Sequence, residues 1–177
     1  MERRVRYAYY GVIGTLLLAG FLTATTRTPP EPEIDPMIQH IELKLDSLKV
    51  ELKDIKQEMA KVVSYADRYG ISMRLAGMIY RTAKQVGIDP DIAFSLVWVE
   101  SRFNPKAVSH AGAIGLAQVM PATAQILQPG ITREELFDPE TNLRLGFRYL
   151  RDMFQKYDGD LRLALLAYNR GDRKSVV

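Results

Sequence analysis

A glutamate at the end of an apolar helical run is the residue with the clearest potential for chemistry in this 177-residue sequence. Glu100 closes the run Asp91-Ile-Ala-Phe-Ser-Leu-Val-Trp-Val-Glu100, and Val97, Leu96 and Ala93 lie three, four and seven residues before it. Helical spacing therefore predicts that the carboxyl shares a face with aliphatic side chains. Burial and the negative end of the helix dipole would both raise its pKa. A carboxylic acid that stays protonated near neutral pH can donate a proton to a substrate.

A second group of acids has a simpler structural explanation. Glu134, Glu135, Asp138 and Glu140 surround a predicted helix start, where acidic side chains cap the backbone and complement the helix dipole. We therefore assign them to structure, and Glu100 remains the one acid that lies in a candidate catalytic motif.

Composition excludes several other classes of site. The chain has no cysteine, which removes disulfides, thiolate nucleophiles, cysteine zinc sites and lipoprotein acylation. Its two histidines, His40 and His110, stand about seventy residues apart, so we predict neither a metal site nor a Ser-His triad. We also find no Gly-rich phosphate loop after a strand and no basic stripe interleaved with aromatics. We therefore expect no cofactor and no nucleic-acid partner.

Three sequence blocks, in order and at plausible spacing, carry a family resemblance. Glu100-Ser-Arg-Phe-Asn-Pro is followed by Ser109-His-Ala-Gly-Ala-Ile-Gly-Leu-Ala-Gln-Val-Met-Pro-Ala-Thr123 and, some fifty residues later, by Ala167-Tyr-Asn-Arg-Gly171. Together they closely resemble the Slt-type lytic transglycosylases, which are lysozyme-like enzymes that cleave peptidoglycan. The resemblance runs from about Leu75 to Gly171.

The resemblance implies roles that the spacing alone does not show. It implies that Glu100 is the single catalytic acid and that Tyr168 faces it across a saccharide groove. The substrate-binding residues that it implies are Ser101, Ser109, Gln118, Thr123 and Asn169. In the family, one Glu protonates the glycosidic oxygen between N-acetylmuramic acid and N-acetylglucosamine. The same Glu then accepts the proton of the muramyl 6-hydroxyl, and a 1,6-anhydro product forms. A lysozyme-type hydrolase and an inactive peptidoglycan-binding module remain as alternatives.

The chain departs from the family pattern at two places. Ala117 stands where the family usually has Met before the Gln, a change that we treat as neutral. After Asn169 the family continues with Gly-Pro-Gly-like residues and a further helix, whereas this sequence reads Arg170-Gly-Asp-Arg-Lys-Ser-Val-Val177. We therefore expect a domain that is truncated at its C-terminus, over residues 70–177.

The N-terminus has the composition of a membrane segment. Three arginines among the first six residues precede a run without charged residues from Tyr7 to Thr26, and this length suits a helix that crosses a bilayer. The acidic stretch Glu31-Pro-Glu-Ile-Asp35 follows it. This charge distribution predicts a cytoplasmic N-terminus and an exported remainder, in the periplasm of a bacterium with its inner membrane as anchor. The alternative is a signal peptide that is cleaved, after which the enzyme would be secreted.

A linker and a heptad pattern follow the membrane segment. Residues 27–36 contain four prolines and predict an extended spacer. Residues 37–69 then predict a helix with a coiled-coil seam, because its apolar positions alternate three and four residues apart. These seam positions are Ile38, Ile41, Leu45, Leu48, Leu52, Ile55, Met59 and Val62. The seam fits a homo-oligomer, and the alternative is one amphipathic helix that folds back on the catalytic domain.

The rest of the chain predicts short helices that form two lobes around a groove. Helical patterns cover Ser72 to Val86, the run that ends at Glu100, Pro121 to Leu127, Pro139 to Tyr157 and Leu161 to Tyr168. No stretch shows strand alternation with hairpin turns, so the fold class is all-α. We expect the core to include Phe94, Trp98, Met120, Phe147 and Tyr149, and the alternative for each of them is a contact with the sugar.

Overall fold

The computed structural model describes residues 35–170, and this part of the chain is helical. The helices are α1 (Pro36–Tyr69), α2 (Met73–Val86), α3 (Pro90–Ser101), α4 (Pro121–Leu127), a 3-10 turn (Glu135–Phe137), α5 (Pro139–Lys156) and α6 (Leu161–Arg170). Isolated bridges Val108–Ile114 and Ile114–Val119 are the β-structure found between residues 35 and 170. The all-α prediction is therefore confirmed for this range.

Local sequence signals explain where the helices around the site begin and end. The Ser72 side chain accepts a hydrogen bond from the Leu75 N–H and caps α2, and Gly87 ends that helix in the left-handed conformation. The Asp89 carboxylate accepts the Asp91 N–H at 2.8 Å and caps α3, whose first residue is Pro90. The start of α2 agrees with the helical pattern that the sequence shows from Ser72.

The chain divides into two units between Asp46 and Ser47, so the described residues 35–46 belong to the first unit and residues 47–170 to the second. The described part of the first unit, residues 35–46, is the exposed beginning of α1. In the second unit the last turns of α1 enter the core of the domain, where Val62 and Ala66 are buried and the Tyr65 ring stacks on Phe94 at 4.1 Å. The predicted seam therefore loses its final member, because Val62 packs inside its own chain.

The remaining seam positions face solvent. Their side chains, each between 50% and 59% exposed, are Ile38, Ile41, Leu45, Leu48, Leu52, Ile55 and Met59. The helix itself is confirmed, and its pairing with a second helix stays a prediction.

Two hydrophobic clusters build the domain. The larger one joins the end of α1 to α2, α3, α5 and α6 around Ile79, Phe94 and Phe147. The smaller one gathers Ile114 and its neighbours with α4 and with Leu145 of α5. Helix α5 contributes to both clusters, so it holds the two lobes together. The core predictions for Phe94 and Phe147 are confirmed, since both side chains are 0% exposed.

The core prediction for Trp98 is wrong. Its side chain is 48% exposed, and the Arg102 guanidinium lies 5.7 Å from the centre of its ring. Helix α3 is apolar on several faces, so periodicity did not identify the face that turns outward.

The predicted membrane segment Tyr7–Thr26 and most of the predicted linker lie outside the described residues, as do residues 171–177. Among the helices between residues 35 and 170, none is both long enough and apolar enough to cross a membrane.

Candidate active site

Helix α3 carries Glu100 into a groove between the two lobes. The three residues that share its helix face, Ala93, Leu96 and Val97, are buried, as the spacing predicted. They fix one side of the helix in the core and leave the carboxyl at the groove wall. Burial raises the pKa of the Glu100 carboxyl above its ordinary value, because water solvates the charged form less well there. The direction predicted from the sequence is confirmed.

A second, mostly apolar cavity also borders Glu100. It is lined by residues of α3 and α6, among them Asn169 and the aliphatic side chains Ile92, Leu96, Val99, Leu161 and Leu165. Glu100 therefore borders both this cavity and the groove.

The groove brings most of the predicted site residues together. Its lining residues are Glu100, Ser109, Ala111, Ala113, Gln118, Val119, Met120, Thr123, Tyr149, Tyr168 and Asn169. Among these described residues Glu100 carries the only carboxylate, and the other polar groups are hydroxyls and amides. Residues 35–170 contain no group of three or more His, Cys, Asp or Glu side chains arranged to hold a metal ion.

Ser109 offers the groove a hydrogen-bond donor. Its Oγ accepts the Ala113 N–H at 3.0 Å, and its own backbone N–H donates to the Ala113 carbonyl at 2.9 Å. These two bonds close the loop that starts at Ser109 and leave the hydroxyl proton available. The hydrogen bond that Ser109 Oγ accepts holds the side chain in place, and its hydroxyl proton can be donated to a ligand.

Gln118 offers the groove an acceptor. Its Nε2 donates to the Gly115 carbonyl at 2.9 Å and to the Ala107 carbonyl at 3.3 Å, so both amide protons are directed at the loop. Its Oε1 remains for a ligand. The residue also has a φ of 48°, a left-handed conformation that costs energy for a residue with a Cβ. The loop holds Gln118 in this conformation through these bonds.

Tyr168 closes the groove from α6. Its hydroxyl donates to the Ala117 carbonyl at 2.6 Å, and the side chain is buried. Burial first, and then the nearby Glu100 charge, raise the pKa of Tyr168 well above its ordinary value. The hydroxyl therefore stays neutral and acts through hydrogen bonding.

Of the three other predicted substrate-binding residues, two line the groove and Ser101 does not. Thr123, in the first turn of α4, and Asn169, next to Tyr168 on α6, both line the groove. Ser101 is not among the lining residues, and its Oγ donates to the Val97 carbonyl of its own helix at 3.1 Å. The geometry thus brings together the predicted set apart from Ser101.

Two groove residues were assigned to the core from the sequence. Met120 and Tyr149 are partly buried and line the groove, and the Tyr149 ring centre lies 5.3 Å from that of Tyr168. Tyr149 belongs to the apolar stripe of α5, and such a stripe does not distinguish a core contact from a groove wall. The predicted structural role of the acidic cluster fits the structure better. Asp138 caps α5, and the Glu135 carboxylate accepts two bonds from Thr132.

Comparison with known proteins agrees with these motifs. Two curated relatives are a transglycosylase of Enterobacteria phage PRD1, 41% identical over 91 residues, and a membrane-bound lytic murein transglycosylase C of Sodalis glossinidius, 37% identical over 111 residues. The matches cover 51% and 54% of this chain, and 32% and 30% of those proteins. The solved complex of a 70-kDa soluble lytic transglycosylase with bulgecin A is also similar, with 31% identity and a TM-score of 0.51. That similarity covers 59% of this chain and 18% of the solved one.

The family assignment rests on the site region itself. The chain spans about a third of the length of these two curated relatives, or less. Residues 77–175 match the sequence profile of the transglycosylase SLT domain, and this range contains Glu100, the groove loop and Tyr168. The chain therefore belongs to the transglycosylase SLT domain family.

Proposed function

We propose that this protein is an exported peptidoglycan lytic transglycosylase that uses Glu100 first as an acid and then as a base. The observation that carries the proposal is one carboxylate with a raised pKa at the wall of a groove between two lobes. Glycoside hydrolases commonly need two carboxylates, one on each side of the bond that is cleaved. The described part of this groove offers one, which favours a reaction that requires no second carboxylate.

The proposed reaction begins with the protonated form of Glu100. Its carboxyl donates the proton to the oxygen of the β-1,4 bond between N-acetylmuramic acid and N-acetylglucosamine. As the bond from C1 to this oxygen breaks, N-acetylglucosamine leaves with a new hydroxyl group, and positive charge develops on the muramyl ring. The acetamido group of the substrate can stabilise this charge, so the protein does not need to supply a nucleophile.

Glu100 is ionised after the first step and can then act as a base. It accepts the proton of the muramyl 6-hydroxyl while the oxygen of that hydroxyl bonds to C1. The product is a 1,6-anhydromuramoyl end, and the carboxyl returns to its protonated form. Because no water enters, the products together contain the same atoms as the substrate. One group performs both steps most efficiently when its pKa lies near the working pH.

We assign substrate binding to groups on both walls of the groove. Ser109 donates and Gln118 accepts, which suits the mixed hydroxyl and acetamido groups of an amino-sugar polymer. Thr123 and Asn169 add polar contacts at the same groove. Tyr168, the second proposed catalytic residue, stays neutral and supports Glu100 through its hydroxyl.

We further propose that the chain is anchored in the bacterial inner membrane by residues 7–26, with the domain in the periplasm. The arginine-rich start, the apolar run and the acidic segment after it support this topology. Several relatives are named membrane-bound lytic murein transglycosylases. A reporter that is fused after Val177 and works only outside the cytoplasm should be active, and activity of a cytoplasm-only reporter would overturn the topology.

We also propose that the exposed seam from Ile38 to Met59 pairs with a second copy of this chain. The seam is an unbroken apolar stripe, and Lys and Glu occupy flanking positions such as Glu51 and Lys56, which have opposite charges and can pair between helices. Lys44 and Lys49 form a like-charged combination, so the charges do not specify the number of helices.

The catalytic proposal is tested by turnover of purified sacculi with wild-type protein and Glu100→Gln. The amide keeps the size of the side chain and lacks the transferable proton, so we expect a loss of at least ~100-fold, the lower range for an acid-base group. Glu134→Gln is the matched control, because it changes one exposed acid in the same way. Undiminished turnover by Glu100→Gln would reject the assignment.

A further inference from the structure

Asn142 is a buried polar residue that connects three backbone segments around the groove. Its side chain is 0% exposed and lies in the first half of α5. The Oδ1 accepts the Ala117 N–H at 2.8 Å, and the Nδ2 donates to the Ile114 carbonyl at 2.8 Å and to the Leu136 carbonyl at 2.9 Å. All three bonds lie in the interior, where unmade hydrogen bonds are costly. The Leu116–Ala117 peptide group, which carries this N–H, is therefore held in one orientation, and it fixes the position from which the Ala117 carbonyl extends.

The carbonyl of that same residue receives the Tyr168 hydroxyl proton. The distance from Oη to the Ala117 oxygen is 2.6 Å. A phenol has one proton, and here this proton is directed at the backbone. The lone pairs of the oxygen are what remains for the groove that Tyr168 shares with Glu100. Tyr168 can accept a hydrogen bond there, and it cannot donate one without breaking its bond to Ala117.

Two glycines make this close arrangement possible. A Cβ at Gly115 would lie 2.4 Å from the Asn142 Nδ2, and a Cβ at Gly146 would lie 2.4 Å from the Ala117 Cβ and 3.0 Å from the Tyr168 oxygen. Asn142 and Gly146 are four residues apart, so they lie on one face of α5. This face acts as a support for the Ala117 peptide.

We propose that Asn142 is a positioning residue for Tyr168: by fixing the backbone of Ala117 through its N–H, it keeps the Ala117 carbonyl in place to receive the Tyr168 proton, and the hydroxyl remains oriented as a hydrogen-bond acceptor on the side of the groove. An acceptor in the groove that Tyr168 shares with Glu100 can stabilise the protonated carboxyl, and it cannot form a hydrogen bond with the ionised one. Asn142 thus favours the acid form of Glu100 without contact with the substrate. This inference rests on the proposed function of Glu100.

The test measures the Glu100 carboxyl directly by ¹³C NMR titration of the full chain without substrate, with the signal assigned by its loss in Glu100→Gln. In Asn142→Ala the Ala117 peptide is released, and the Tyr168 hydroxyl can turn to donate to the ionised carboxylate. We expect the Glu100 pKa to fall by about one pH unit, the size of a changed hydrogen bond. Asn142→Asp, which is neutral when buried and still accepts the Ala117 N–H, should restore most of the wild-type value.

Three further variants separate positioning from general destabilisation. In a Tyr168→Phe background, Asn142→Ala should cause no additional fall, because the hydroxyl through which it acts is gone. Gly146→Ala should lower the Glu100 pKa as Asn142→Ala does, and it carries the test if the latter does not fold. Met153→Ala removes a buried side chain eleven residues further along α5 and should lower stability while leaving the Glu100 pKa unchanged.

Among the described residues, few other ionisable groups lie near enough to Glu100 to influence its pKa in this titration. The other ionisable groups at the groove and the adjoining cavity are Tyr149, Tyr168 and Asp91, and the Ala substitutions leave their charges unaltered. An unchanged Glu100 pKa in folded Asn142→Ala or Gly146→Ala would overturn the inference, as would an equal fall in the Tyr168→Phe background. Because the readout needs no turnover, an inactive enzyme with the expected pKa changes would reject the proposed function and leave the positioning role intact.

Discussion

Glu100 combines two properties that oppose each other. A raised carboxyl pKa keeps a proton available for transfer, and the same burial makes the charged form less stable in the folded protein than in the unfolded chain. The acid is useful because its environment disfavours its charge. Sites of this kind commonly reduce stability in exchange for activity.

Because burial destabilises the charged form of Glu100, we predict a pH-dependent gain in stability for Glu100→Gln. An unfolded glutamate titrates near pH ~4.3, and in the folded protein the pKa of Glu100 is higher. Below the unfolded pKa both states hold the proton, and the residue has no cost. The cost develops as the pH rises through the two pKa values and stays constant above them. The glutamine variant should therefore melt at a higher temperature than wild type near pH 7.

Thermal unfolding at two pH values checks this sign. The advantage of Glu100→Gln near pH 7 should disappear at about pH 3.5, below the unfolded pKa. Glu134→Gln, an exposed control, should show no such gain. Equal melting temperatures near pH 7, or a gain that persists in acid, would mean that folding does not raise the pKa of Glu100.

The position of a residue could be predicted from the sequence when it depends on the residue's own helix. It could not be predicted when it depends on tertiary contacts. The helix spacing placed Glu100 correctly, because its burial follows from the same helix. The helical pattern from Pro139 to Tyr157 includes Asn142 without distinguishing it, although a polar residue on a buried face indicates a hydrogen-bonded network. Its partners Ile114 and Ala117 lie more than twenty residues away in the sequence, so the local pattern did not identify them.

The helices could be predicted from the sequence because the residues that cap them lie next to them in the chain. Ser72, Asp89 and Asp138 each accept a backbone N–H in the first turn of their helices, and prolines mark the starts of α3, α4 and α5. The lining of the groove was less predictable, because Met120 and Tyr149 look like core residues to any periodic analysis. Tertiary packing decides which apolar side chain faces the opening between two lobes.

The N-terminal cap of α5 gives a prediction at the scale of a single helix. The Asp138 carboxylate accepts the Thr141 N–H at 2.8 Å, so Asp138→Ala should lower the free energy of unfolding by about 1 kcal/mol. The turnover of the folded fraction should be unchanged, because the acidic cluster lies outside the groove. Urea unfolding and a turnover assay at low temperature measure the two effects, with exposed Glu140→Ala as the control. A large loss of turnover in folded protein would give the cluster a catalytic role.

The exposed seam of α1 gives a second prediction about a single helix. A soluble version of the protein that begins at Asp35 should associate, and Leu48→Lys with Leu52→Lys should make it monomeric, because charges are costly in a buried seam. Leu43→Lys with Val50→Lys is the matched control. These residues lie on the same helix and are at least as exposed, but they are outside the seam. Sedimentation velocity distinguishes the outcomes, and a parent protein that is monomeric at high concentration would refute the pairing.

At the scale of the whole molecule, two lobes and a shared helix create the reaction site. The larger cluster contains Tyr168 and the buried face of α3, the helix that carries Glu100. The smaller one contains Ile114, Ala117 and Val119 of the loop that carries Gln118. Helix α5 belongs to both, so movement of one lobe against the other would disturb the Ala117 peptide and the groove together. The sequence predicted two lobes, and the structure adds the helix that couples them.

In the proposed mechanism one carboxyl performs both proton transfers, and an alcohol of the substrate takes the place of water. Mass spectrometry of the fragments released from purified sacculi tests it most directly. The single-acid mechanism predicts muropeptides that end in 1,6-anhydromuramic acid, each one water lighter than the corresponding hydrolysis product, and it predicts that Glu100→Gln releases them at least ~100-fold more slowly. Fragments with ordinary reducing ends from the wild-type protein, or anhydro products that Glu100→Gln releases at an undiminished rate, would contradict it.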